Sequence, residues 1–170
     1  MINTGVLIEN IKDWAENLSW TSVDGGGTTS FQYVDTAPIY NQINGSPAFV
    51  VYLDSQTAST ETSTSIGSVR FINLVHLEVV VNFATSGADV NSARREAVLR
   101  LNEASDYIRS QISKNNIINT WQTSPTEARA DVSTVNFRSE DLTSQLLVNI
   151  EENVLIRRFV YPISDVVENT

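Results

Sequence analysis

His76 is the chain's only histidine, and Glu78 follows it in the run Leu74-Val75-His76-Leu77-Glu78-Val79-Val80-Val81-Asn82-Phe83-Ala84. On an extended strand, residues i and i+2 point to the same face, so an imidazole and a carboxylate stand side by side. Such a pair could begin a metal site or a proton relay. No motif supplies a third ligand, and a single histidine excludes multi-histidine centres. A polar pair at a surface or interface is the simpler reading. Asp24-Gly25-Gly26-Gly27-Thr28-Thr29-Ser30 sets glycines beside hydroxyls, as phosphate loops do. It lacks the G-K-[ST] ending and does not join a strand to a helix, so it is read as a flexible loop over about 24–30. Glu151 and Glu152 are neighbours on an expected strand, face opposite ways and form no acid–base pair. No G-x-S-x-G elbow exposes a serine. The residues predict no enzyme: no catalytic group, no metal and no cofactor.

The elements around His76 and Glu78 are legible from periodicity. Val75, Leu77, Val79, Val81 and Phe83 form one face of the strand, and His76, Glu78, Val80 and Asn82 the other. This predicts a half-buried strand, with the histidine and glutamate on its outer face within reach of a neighbouring subunit. A polar connection, Thr85 to Asp89, leads into the longest helical pattern, about Val90 to Ser113. Ala97, Leu101, Ala104, Ile108 and Ile112 recur at helical spacing, with Ala93 and Val98 widening the stripe. Asp89, Asn91 or Ser92 can cap it, and Glu96 and Arg100 stand at i and i+4 in the favourable order. Arg94, Arg95, Arg100 and Arg109 make this helix the chain's main basic cluster. It suits an acidic surface such as the first half of another copy.

Ahead of these elements, Asn3 or Thr4 can cap a helix with Leu7, Ile11, Trp14 and Leu18 on one stripe, ending at Ser19-Trp20-Thr21. Phe31, Tyr33 and Val34 suggest a short strand before Pro38, and residues 39–47 an irregular connection. Ala48 to Asp54 is apolar on both faces and reads as a central strand. Ser55 to Ser65 has little to bury and reads as a mobile loop between antiparallel neighbours. Thr57, Ser59, Thr60 and Glu61 in it join His76, Glu78 and the four arginines as candidate contacts. Ile66 to Ile72 resumes the sheet. Thr123-Ser124-Pro125 marks a turn after Ile117, Ile118 and Trp121, and Asp131 to Arg138 alternates weakly. Leu142 to Glu151 and Val154 to Tyr161 read as strands joined at Asn153, the second ended by Pro162, with a frayed acidic tail over 164–170. The fold class is therefore α+β: one domain over 1–170, a mostly antiparallel or mixed β-sheet packed against an N-terminal helix and one long central helix.

At 170 residues, with 41% apolar and 18% charged side chains, the chain can bury a single core. It holds no cysteine, so no disulfide framework or thiolate metal site is possible. No basic, apolar leader opens it and no apolar run is long enough to span a bilayer, so cytoplasmic folding and no membrane association are expected. The net charge is −9, unevenly spread: residues 1–90 carry −7 and residues 91–170 carry −2. Phosphate affinity comes mainly from lysine and arginine, so the acidic first half argues against gripping nucleic acid.

The order of elements resembles the tail terminator, or tail completion, proteins of tailed bacteriophages. The resemblance runs over about residues 4–161. It rests on a first helix, the strand start Ser46-Pro47-Ala48-Phe49-Val50-Val51-Tyr52, the strand core His76-Leu77-Glu78-Val79-Val80-Val81, a helix of about six turns, and closing strands. Residues 24–30, the Ser/Thr stretch and the length around 121–141 depart from that compact pattern. The resemblance implies a structural virion protein at the head–tail junction, assembled in the host cytoplasm. It implies a ring, usually of six copies, that caps the tail tube, ends its polymerisation and meets the neck or connector protein, and the sheath where the tail contracts. DNA would pass through the lumen without specific binding, past an acidic wall. A neck, head-completion or tube ring protein of the same particle is the nearest alternative, and a small-ligand binding module a more distant one.

Overall fold

The computed structural model describes residues 3–58, 68–114, 117–122 and 143–168. Helix α1 (Thr4–Glu16) begins where its capping residue predicts. Asn3 is extended, and its side-chain oxygen accepts a hydrogen bond from the Val6 N–H at 3.1 Å, satisfying one of the donors a helix start leaves open. Leu7, Ile11, Trp14 and Ala15 are buried along one side.

The chain then folds into a small hairpin, β1 (Ser19–Thr21) antiparallel to β2 (Thr28–Ser30). The glycine run closes it. Gly25 has φ 130° and Gly26 φ 93°, conformations in which a β-carbon is strained. The run is thus the tip of a hairpin.

A five-stranded mixed sheet follows, in the order β3-β4-β5-β7-β6. β3 (Tyr33–Asp35) runs parallel to β4 (Ala48–Ala58), and the crossover between them holds a 3-10 turn at Tyr40–Gln42. β4 pairs antiparallel with β5 (Ser68–Asn82), β5 with β7 (Val154–Glu168), and β7 with β6 (Thr143–Asn149). Asn153, at φ 55°, turns β6 into β7, and the Asn149 side chain accepts from the Glu152 N–H at 3.1 Å. Glu151 and Glu152 lie in this turn rather than on a strand.

Helix α2 (Val90–Ile112) lies over β5 and β7, and α1 over β3 and β4. Ala97, Leu101, Ala104, Ile108 and Ile112 are buried as their spacing predicts. Val98 is not part of that stripe and stays 46% exposed. Asp89 is the N-cap but makes no side-chain cap bond. Ile117–Gln122, which the sequence leaves without an element, forms a short helix, α3, whose Trp121 packs edge-on to Trp14 and Tyr161.

Two predicted strand ends move. β4 continues past Asp54: after a register shift between Leu53 and Ser55, Ser55, Gln56, Thr57 and Ala58 pair with Leu74, Asn73, Ile72 and Phe71. Backbone ladder bonds hold a stretch whose side chains are too polar to be held by burial. Thr57 is therefore on a strand and exposed, while Ser59, Thr60 and Glu61 lie outside the described residues. β7 passes through Pro162, which pairs with Leu74, and runs on to Glu168 instead of fraying. The β6 ladder ends at Thr143↔Val160, so among the described residues Pro162 has a strand on one side only, the setting a proline tolerates. The weak alternation at 131–138 also lies outside the described residues.

The sheet is covered on both faces. On the helical side Phe49, Val51, Val75, Leu77, Val79, Phe159 and Tyr161 join the buried stripes of α1 and α2. On the other side Ala48, Val50, Val80, Val154 and Ile156 form a smaller core closed by Ile43 of the β3–β4 crossover. The middle of β5, residues 75–81, is consequently buried on both faces, which corrects the half-buried reading of the sequence.

Candidate functional site

The second face of β5 carries the two residues that the sequence marks for chemistry, and both are under cover. Glu78 is 0% exposed and His76 8% exposed. Three chain segments converge on the Glu78 carboxylate. Tyr40, from the crossover, donates its hydroxyl to Oε2 at 2.5 Å; Tyr52, from β4, donates to Oε1 at 2.5 Å. Arg158, directly across on β7, donates Nε–H to Oε1 at 3.0 Å. A buried carboxylate needs such partners because an unpaired charge in a low-dielectric interior is costly. The row continues outward: His76 Nδ1 lies 3.2 Å from the Tyr52 hydroxyl, and Nε2 lies 3.7 Å from Asp54 Oδ2.

Burial is the main influence on these groups. It pushes the Tyr40 hydroxyl up to about 12, with the Glu78 carboxylate adding to the effect, and raises Tyr52 for the same two reasons. Burial also lowers His76 below its ordinary value, against the pull of Asp54. Burial opposes the Arg158 charge, yet Glu78 more than offsets it and leaves the guanidinium pKa raised. Both tyrosines thus stay protonated donors to a fixed acceptor. The arrangement ties the crossover to the sheet around a carboxylate that is 0% exposed. Among the described residues no group of three or more His, Cys, Asp or Glu could hold a metal ion.

The predicted outward-facing pair is therefore corrected. Glu78 is sealed inside, and Asp54, 46% exposed on its side chain, carries the row to solvent. Periodicity correctly placed His76 and Glu78 on one face but could not reveal that Tyr40, Tyr52 and Arg158 close over it. The available signal was Arg158, which alternates with Ile156 and Val160 on a strand and so points at a buried face.

The basic residues of α2 also separate on the structure. All four of Arg94, Arg95, Arg100 and Arg109 are exposed. Arg94 donates to the Ala84 carbonyl at 3.0 Å, Arg100 pairs with Glu96 at 2.6 Å, and Arg109 with Asp106 at 2.9 Å. By helical rise, Arg94 and Arg109 stand about 22 Å apart along the axis. They form no single patch.

Two surface features flank α2 on opposite sides. On one side its Glu103 accepts from Trp20 Nε1 of the β1–β2 hairpin at 3.1 Å, and Arg100 and Glu103 line a shallow recess with Trp20 and Thr29. On the other side, Asn102, Ser105 and Arg109 face Ser144, Arg157 and Phe159 across an open cleft of about 170 Å³ between α2 and β6. β6 is one of the two edge strands of the described sheet, and its Leu146 and Val148 are 51% and 56% exposed, followed by Ile150 at 75%. Leu146 and Val148 share one face of the strand, and Ile150 stands in the turn that follows it. Among the described residues no helix is long and apolar enough to cross a membrane. Compared with models of known protein families and with curated proteins, the chain matches none.

Proposed function

We propose that this chain is a structural ring subunit of a phage tail, a tail terminator that caps the tube and meets the neck. The observation that carries the reading is the pair of exposed apolar residues Leu146 and Val148 on an edge strand, with exposed Ile150 in the turn that follows. Soluble chains keep such rows small unless another protein covers them, and an open sheet edge invites a further partner. The polar residues that might have served catalysis are turned inward as a structural tie. The order of helix, Pro-Ala strand, His-x-Glu strand, long helix and closing strands adds the resemblance to tail terminators.

The net charge of −9 fits a channel that lets DNA pass without adhering. The purified protein is expected to show no mobility shift with duplex DNA even at low salt, and tight binding there would contradict the reading. The direct test is the mass of the protein, alone and with tail tube, together with negative-stain images. A single ring that stops at one layer supports a terminator. Self-stacked tubes make it a tube subunit, and a persistent monomer that leaves tube growth unchanged ends the ring reading.

A further inference from the structure

We propose that the cleft between α2 and β6 is a carboxylate-binding site, taking an acidic side chain or a chain-end carboxylate from a partner protein. The site does not depend on whether copies of this chain form a ring.

Arg157 gives the cleft its need for an anion. It is half-buried on β7, and among the described residues its guanidinium makes no hydrogen bond or ion pair. Its neighbours on that sheet face are apolar: Val79 of β5 and Leu146 of β6 lie directly across, and Leu155 and Phe159 stand two residues away along β7. The adjacent Arg158 points to the opposite face, where the buried Glu78 pairs with it at 3.0 Å. A cation held partly out of water without a counter-charge is best satisfied by a ligand that brings one.

The rest of the lining selects the kind of anion. The Asn102 amide and the Ser144 hydroxyl stand in the walls as further donors. Arg109 gives one N–H to Asp106 Oδ1 at 2.9 Å and keeps others. Ser105 adds no donor, because its hydroxyl is spent on the Leu101 carbonyl. Two arginines against the one Asp106 carboxylate leave a single positive charge in the lining. That balance suits a monoanion better than a phosphate, which carries more than one negative charge at neutral pH. A volume of about 170 Å³ has room for a carboxylate and the short stem that bears it, and an open cleft can take that group from another protein's surface.

The test is an NMR titration of the full chain at about 0.1 M salt. Propionate serves as the acidic side chain and N-acetylglycine as the chain end. Saturable shifts are expected at the Arg157 Nε–H and the Asn102 side-chain amide, with a dissociation constant on the order of 1 mM, the range for a few charge-assisted hydrogen bonds. The tighter of the two probes identifies the source of the carboxylate. Arg157→Gln should weaken binding about tenfold or more. Asp106→Asn removes the competing carboxylate and should tighten binding about fivefold. Arg95→Gln, on α2 outside the cleft lining, should change nothing. Opposite signs from Arg157→Gln and Asp106→Asn cannot come from a general loss of structure, and thermal unfolding confirms that each variant is folded. Shifts that never saturate, that survive Arg157→Gln, or that spread equally over Arg94, Arg95 and Arg100 would overturn the site. Inorganic phosphate binding more tightly than either carboxylate would overturn the ligand class. Failure here leaves the ring reading standing, since that rests on the β6 edge, and a persistent monomer that binds propionate would end the ring reading while keeping the site.

Discussion

Glu78 on β5 and Arg158 on β7 are direct cross-strand partners, and the Arg158 Nε–H reaches the fully buried Glu78 carboxylate at 3.0 Å. The pair sits in mid-sheet and organises Tyr40 and Tyr52 around it. Replacing one member leaves the other's requirement unmet. Arg158→Met strands a buried carboxylate and should cost about 3 kcal/mol or more, whereas Glu78→Gln, which keeps the shape and removes the charge, should cost less. Urea unfolding of the two variants measures the difference. Equal and small losses would show that the carboxylate is served by its tyrosines alone.

Tyr40 links the 3-10 turn to this pair through a hydrogen bond to a charged acceptor. Tyr40→Phe should cost about 2 kcal/mol, the range for bonds to ionised groups. The loss should also be local. Amide exchange at Ile43 in the crossover should accelerate well before exchange at Val80 in mid-sheet, since the crossover can lift while the ladders hold. Uniform acceleration at both amides would contradict a local tie.

His76 supplies a pH signature with a definite sign. Burial holds its folded pKa below the ordinary 6.5, opposed by Asp54 and Glu78 and reinforced by Arg158. The unfolded chain therefore binds the proton more readily. The associated stability is complete above 6.5 and is lost as pH falls through the depressed folded value. Between the two values stability rises with pH, because the unfolded state binds more protons there. Unfolding free energies of the wild type and His76→Gln at several pH values from neutral to mildly acidic isolate this contribution from the other titrating groups. Parallel curves over that range would refute it.

Leu101 and Val98 test which side of α2 is core. Leu101 is 1% exposed and Val98 46% exposed, although simple stripe counting includes both. Leu101→Ala should cost about 2–5 kcal/mol through the cavity it leaves. Val98→Ala should change monomer stability by no more than about 0.5 kcal/mol. Thermal or urea unfolding of each variant decides it.

Much of the architecture was legible because its signals are local. The Asn3 cap and the stripe of Leu7, Ile11 and Trp14 define α1 within its own residues. The buried positions of α2 follow from helical spacing, and the apolar run from Ala48 marks a strand enclosed on both sides. Asn153 announces its turn by tolerating φ 55°. What failed was of another kind. Neither the strand character of Ser55–Ala58 nor the passage of β7 through Pro162 resides in those residues; both depend on pairing with β5. The same holds for the site. The sequence by itself determined that His76 and Glu78 share a strand face, because strand geometry alternates side chains. Only the tertiary structure decided that this face is interior. The partners of Glu78 come from 26, 38 and 80 residues away, and no local period records which distant strand becomes its neighbour.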